Sequence, residues 1–170
     1  MPLMNKDKKR LAVAFTGPSN SGKTTLIIKV SNILQSMGNK VSIVKHDPKD
    51  KATFDKEGKD SFKFSQTGAD VAVVSPNKTT VFKKQTSSID ELINIFDNFD
   101  FLLVEGLKTL PLPRICIMRE KIDERYFDVS DCIATDDSIN KKDFSNQMTI
   151  LDLNNPEQIV EWIQENAKKV

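Results

Sequence analysis

An α/β fold, with a mixed but mainly parallel sheet flanked by helices, is predicted by three features of the sequence. Runs rich in β-branched residues alternate with segments whose apolar residues recur every three or four positions. The first such run is joined to the first helical pattern by Gly17-Pro18-Ser19-Asn20-Ser21-Gly22-Lys23-Thr24, which satisfies GxxxxGK[ST] in full. A later apolar run, 101–105, ends directly on the carboxylate of Glu105. Strand, glycine loop and helix in that order predict a P-loop NTPase-like domain.

Strands are predicted at 11–15, 41–45, 71–75, 79–83, 101–105, 114–118, 132–135 and 149–153. The first helix, 22–37, lines up Leu26, Val30, Ile33, Leu34 and Met37 and stops at Gly38-Asn39. A second helix follows Gly58, where Asp60 or Ser61 is expected to cap it. The third, 88–96, opens with Ser88 and Glu91 at capping-box spacing. The last has Asn155 as cap and Pro156 at its first position, and turns Ile159, Val160, Ile163 and Ala167 to the sheet, with Trp162 outward or edging the core. The opening strand–helix–strand order requires a right-handed parallel crossover. Runs 71–75 and 79–83, joined by Pro76-Asn77-Lys78, predict an antiparallel hairpin. The polar stretch 47–59 is expected to be mobile or to pack on a partner.

Length and composition bound the rest. A chain of 170 residues fits a single domain, here 11–170 behind a flexible basic tail, 1–10. No apolar run approaches the roughly 20 residues of a membrane span, and the start lacks the pattern of a signal peptide. Cys116 and Cys132 lie in apolar runs without CxxC spacing and read as buried reduced thiols, which fits the cytoplasm. A formal net charge of +1 and the absence of a nucleic-acid module argue against nucleic acid as partner. With a single histidine, His46, a structural zinc site has no support.

The loop chemistry is local and specific. Backbone N–H groups of Gly17, Ser19, Asn20, Ser21, Gly22, Thr24 and Thr25 converge on a phosphate at a helix N-terminus, and glycine permits the close approach. Lys23 brings positive charge to the β- and γ-phosphates, and the Thr24 hydroxyl is placed to ligate Mg²⁺. Glu105, at the carboxyl edge of the sheet, can reach the metal's water shell or orient an attacking water. His46 reads either as a structural histidine or as a phosphate or partner contact. Lys108 and Arg114 read as solvated charges or as positive groups for a second anionic ligand.

Four segments in this order resemble the molybdopterin-guanine dinucleotide biosynthesis protein B family. They are 17–25, Val44-Lys45-His46, the stretch Phe54-Asp55-Lys56-Glu57-Gly58-Lys59-Asp60-Ser61 with Thr67-Gly68-Ala69, and Val104-Glu105-Gly106-Leu107-Lys108. The Ile133-Ala134-Thr135-Asp136 strand end and the closing helix extend the resemblance over nearly the whole chain. It departs where family members carry further histidines after Lys45-His46, and where Leu107 replaces an aromatic. The resemblance implies a GTP-binding adaptor with weak GTPase activity, assisting the molybdenum cofactor guanylyltransferase and contacting molybdopterin or its guanine dinucleotide. It also implies a homodimer in which an extended segment after the second strand crosses the interface. Asp60, with Asp55, lies in a loop leaving the sheet edge as switch segments do, where it can touch Mg²⁺ or the γ-phosphate. Guanine preference comes from the resemblance alone, because no Asn-Lys-x-Asp element is present; Asp136 is the candidate base contact, able to accept from guanine N1–H and its amino group.

Two other readings stand beside this one. A small-molecule or nucleotide kinase would use the same loop, with Arg114, Arg119 and Arg125 closing over a phosphoryl acceptor. A nucleotide-gated binding module would use the triphosphate merely to order 47–59.

Overall fold

The computed structural model describes residues 10–145 and 147–170. The predicted tail therefore lies, except for Arg10, outside the described residues. By internal packing the chain divides into two compact units, one running to His46 and resuming at Phe96–Val170, the other Asp47–Ile95.

The first unit is a seven-stranded sheet built on β1 (Leu11–Thr16), β2 (Val41–Lys45), β5 (Phe101–Glu105), β6 (Arg114–Met118), β7 (Cys132–Thr135) and β8 (Thr149–Asp152), in the order β2-β5-β1-β6-β7-β8. All of these neighbours pair in parallel, as predicted. The mixed character comes from a strand that periodicity did not announce. Two lysines, β9 (Lys168–Lys169), pair antiparallel with Leu11 and Ala12, beside the stretch of β1 that precedes its pairing with β6 at Ala14. Short exposed charged strands carry no alternation to read.

Alternation elsewhere is strict and builds a core on each face of the sheet. Ile115 and Ile117 of β6 join Val13, Phe15, Phe101, Leu103, Cys132 and Ala134 against the helices α1 (Lys23–Ser36) and α4 (Pro156–Asn166). Cys116, Met118 and Ile133 face the other way, onto Ile139 and Phe144. These strands are buried on both faces, as parallel strands are, which is why they read as continuous apolar runs. α4 begins as predicted, with the Asn155 side chain accepting from Gln158 N at 3.1 Å. It ends at Asn166, so Ala167 packs on the core from just beyond the helix, and Trp162 edges that core, half-buried.

In the second unit, β3 (Val71–Val74) and β4 (Thr79–Phe82) form the predicted hairpin as a separate two-stranded sheet. α3 (Ile89–Phe96) opens with the capping box: Ser88 N donates to Glu91 Oε2 at 3.0 Å and Glu91 N to Ser88 Oγ at 3.2 Å. The capping of α2 (Asp60–Gln66) differs from expectation. Its N-cap is Lys59 without a side-chain bond, Ser61 Oγ donates back to Asp55 at 2.9 Å, and Asp60 pairs with Lys63 at 3.5 Å. Asp60 sits inside the first turn, where a carboxylate favours the helix dipole without capping it.

Candidate functional site

β1 is central in the sheet and runs directly into the glycine loop, so the loop emerges at the carboxyl edge between β5 and β6. Gly17 has φ 138°, and a Cβ there would stand 2.3 Å from the Ile117 carbonyl oxygen of β6. Only glycine lets the loop turn against that strand. Gly22, at φ 97°, is the N-cap of α1, which carries no side-chain cap and no acid in its first turn. A helix end without such groups keeps its N–H donors and positive dipole end for an anion. Ser21 places a buried hydroxyl in the loop with no hydrogen-bond partner among the described residues. Lys23 Nζ bends back over the loop, donating to Gly17 O at 3.0 Å and Pro18 O at 2.6 Å. Burial lowers its pKa below 10.5, with the Glu105 carboxylate pulling the other way.

Register brings further charges to this edge. Phe15, Glu105 and Lys45 are laterally aligned at the ends of β1, β5 and β2. Lys45 Nζ bonds both oxygens of Glu105 at 3.2 Å, and the Glu105 side chain is only 15% exposed. Ser19, Asn20, Gly22, Lys23, Thr24, Thr25, Lys45, Glu105 and Arg119 line a cavity of about 540 Å³. Lys23, Lys45 and Arg119 outnumber its one carboxylate, so the chamber suits a polyanion.

A smaller cavity of about 190 Å³ adjoins it, sharing Gly22, Thr25 and Arg119 and adding Leu26, Lys29, Asp136, Leu153 and Asn154. Asp136 follows β7 and is already engaged. Oδ2 accepts from Arg119 Nε at 2.7 Å, while Oδ1 accepts from both the amide, at 3.1 Å, and the hydroxyl of Ser138. These donors, the Ser138 hydroxyl foremost, hold the carboxyl below its ordinary range. Two-pronged pairing with guanine, as expected from the sequence, therefore requires one Ser138 donor to give way.

The residues assigned to a second anion part company. Arg114 is buried, its guanidinium donating to the carbonyls of Gly106 at 2.7 Å, Leu107 at 2.9 Å and Leu110 at 3.3 Å. That corrects the reading of Arg114 as a ligand contact: its donors are spent on the loop after Glu105. Lys108 is exposed and stacks over the Tyr126 ring at 3.9 Å. His46 is exposed, donates its amide to Glu105 O at 3.0 Å and packs against Gly106. Asp60 belongs to the other unit and is 83% exposed in its side chain. Lys45 as partner of Glu105, and Arg119 as partner of Asp136, are contacts that sequence reasoning missed. Each pair stands at the ends of neighbouring strands, and neighbourhood is a matter of strand order.

A glycine loop between a central parallel strand and an uncapped helix, with cations and one carboxylate around it, defines a P-loop nucleotide-binding protein. The chain belongs to the family described as molybdopterin guanine dinucleotide synthesis protein B, whose model matches residues 12–136. It is 30% identical over 160 residues to the molybdopterin-guanine dinucleotide biosynthesis adapter protein of Haemophilus influenzae, a match covering 89% of this chain and 86% of that one. A putative adapter of the same description from Methanocaldococcus jannaschii is 31% identical over 115 residues, 64% of this chain; the match spans only about half, 47%, of that relative. The crystal structure of Bacillus subtilis MobB superposes with a TM-score of 0.73 at 22% identity, covering 93% of this chain and 98% of that one, and supports the fold.

Proposed function

We propose that this protein is a GTP-binding adapter with slow GTPase activity in the synthesis of molybdopterin guanine dinucleotide, assisting the molybdenum cofactor guanylyltransferase. The observation that carries the reading is the polyanion chamber at the end of β1 and β5, set in a chain of this family. The triphosphate lies along 17–25, with Lys23 released from its carbonyl partners to the β- and γ-oxygens. No cluster of three or more His, Cys, Asp or Glu suited to a metal occurs among the described residues. Mg²⁺ accordingly arrives with the phosphates, with the Thr24 hydroxyl and the Glu105 carboxylate on the protein side. Glu105 then exchanges Lys45 for the metal's water shell or for the attacking water. Asp60 is kept as a candidate switch carboxylate on the resemblance alone, and the adjoining cavity at Asp136 is assigned to the guanine. His46 and Lys108, flanking the Glu105–Gly106 turn, are the remaining candidates for the pterin phosphate.

The homodimer is supported by the hairpin, whose face of Ala72, Val74, Thr79 and Val81 is exposed throughout. The buried free thiols Cys116, pushed up to about 11, and Cys132 agree with a cytoplasmic setting. No helix among the described residues is long and apolar enough to cross a membrane. Of the arginines a kinase would close over its acceptor, only Arg119 lines the phosphate chamber; Arg114 is buried and Arg125 pairs with Asp123 at 2.7 Å.

Calorimetry with GTP, ATP and Mg²⁺, and co-purification with the guanylyltransferase, test the proposal together. Tighter binding of GTP than ATP and a GTP-dependent complex are expected. Binding of neither nucleotide, or a nucleotide consumed only when a phosphoryl acceptor is added, would overturn it.

A further inference from the structure

We infer that Arg119 is a nucleotide contact and a specificity-determining residue, joining the phosphate chamber to the base chamber and setting the orientation in which Asp136 reads a purine. The inference rests on the GTP-binding reading above.

Arg119 is the residue that follows β6, and β6 lies between β1, which feeds the P-loop, and β7, which Asp136 follows. It is thereby placed between the two ends of a bound nucleotide, and it lines both cavities. Its stem lies over the start of α1: a Cβ on Gly22 would meet Arg119 Cδ at 3.9 Å. Its head is 48% exposed, whereas Asp136 is 12% exposed, so the pair has one wet and one sheltered end.

Counting donors and acceptors assigns the roles. A carboxylate offers about four lone-pair sites. Ser138 takes both on Oδ1, and Arg119 Nε takes one on Oδ2 at 2.7 Å. The remaining site on Oδ2 is what the 2-amino group of a guanine can use without breaking anything, and the direction it faces is set by Arg119. The guanidinium in turn spends only Nε on Asp136. The planar fork of its terminal nitrogens stays for phosphate oxygens, a geometry that lysine does not reproduce. The other cation at the chamber rim, Lys45, is paired with Glu105, so Arg119 couples the phosphates to Asp136 rather than to the hydrolytic side.

The test is calorimetry of GTP and inosine triphosphate, which lacks the 2-amino group, on the full chain and on R119Q, R119K, D136N and R119Q/D136N. R119Q is expected to weaken GTP about tenfold or more, the loss of a charged hydrogen bond, and to move the GTP-to-inosine-triphosphate affinity ratio toward one. R119K recovers part of the affinity, because the charge returns without the fork, but leaves the ratio low. D136N lowers the ratio by itself, and adding R119Q to it lowers the ratio no further. A merely structural ion pair would leave the ratio untouched. R119Q with wild-type affinity and ratio, or with equal losses for both nucleotides that R119K does not repair, overturns the inference. Should R119Q be silent while Lys23→Ala is impaired, Arg119 alone is refuted; should the unaltered protein bind neither nucleotide, the GTP reading falls and this inference with it.

Discussion

Lys23 is the side chain to which we assign phosphate affinity, and its present partners are two carbonyls of its own loop. Exchanging them for phosphate oxygens converts hydrogen bonds charged on the donor side alone into bonds charged on both sides. Lys23→Ala should therefore lose about 1.5–3 kcal/mol of triphosphate binding, roughly ten- to a hundredfold in Kd, while its melting temperature stays near that of the parent. Calorimetry and a thermal melt check both halves. Because burial lowers the Lys23 pKa below 10.5, its proton is lost earlier than from a free lysine. The folded state pays for burying the charge at neutral pH, and that penalty lifts as pH rises towards 10.5. Triphosphate affinity runs the opposite way, falling as pH climbs through the lowered pKa, which a calorimetric series from about pH 7.5 to 10 would record. Gly17→Ala attacks the same site through the backbone. With φ at 138° and a carbonyl 2.3 Å from the new Cβ, it should cost about 1–3 kcal/mol in denaturant unfolding and abolish phosphate binding.

Elements are held in place around that site by polar devices at their ends. The loop between β5 and β6 is tied to the sheet by Arg114, whose guanidinium serves three carbonyls and whose amide donates to Asp131 at 2.7 Å. Burial lowers its pKa and Asp131 opposes the shift, so the charge is retained at a cost that the carbonyls offset. Arg114→Leu should strip donors from sheltered carbonyls and destabilise by about 3–5 kcal/mol in urea. It should also weaken the GTP hydrolysis we propose for Glu105 more than phosphate binding, since the Glu105–Gly106 turn is what it holds. At α4, Asn155→Ala removes one cap bond and should cost about 1 kcal/mol without touching nucleotide affinity.

In the molecule as a whole, burial is unevenly divided. The sheet unit carries a core on both faces, whereas in Asp47–Ile95 only Ser65 and Ile93 are buried. Hydrogen exchange should accordingly show β1, β5 and β6 opening only with global unfolding, and the β3–β4 hairpin opening far earlier in an isolated chain. Val74 and Val81, 75% and 54% exposed, share the open face of that hairpin. On the proposal that this face joins two copies of the chain, Val74→Asp or Val81→Asp should shift sedimentation from dimer towards monomer and leave triphosphate affinity unchanged; an unaltered sedimentation profile, or a parent protein that sediments as a monomer, would overturn it.

Much of this was legible in the residues because the physics involved is local. The P-loop, the Ser88–Glu91 capping box, the Asn155 cap and the strands of the sheet all depend on neighbours a few positions away, and all appear in the structure at or within a residue or two of the predicted places. The short β9, the withdrawal of Arg114 into the β5–β6 loop, and the pairs Lys45–Glu105 and Arg119–Asp136 were not legible. Periodicity tells which residues are buried but not which strand lies beside which. The sequence alone determined the glycine loop at 17–25 and its place between strand and helix, since consecutive backbone positions make that turn. The order β2-β5-β1-β6-β7-β8, which exists only in the folded sheet, decided which charges stand beside it.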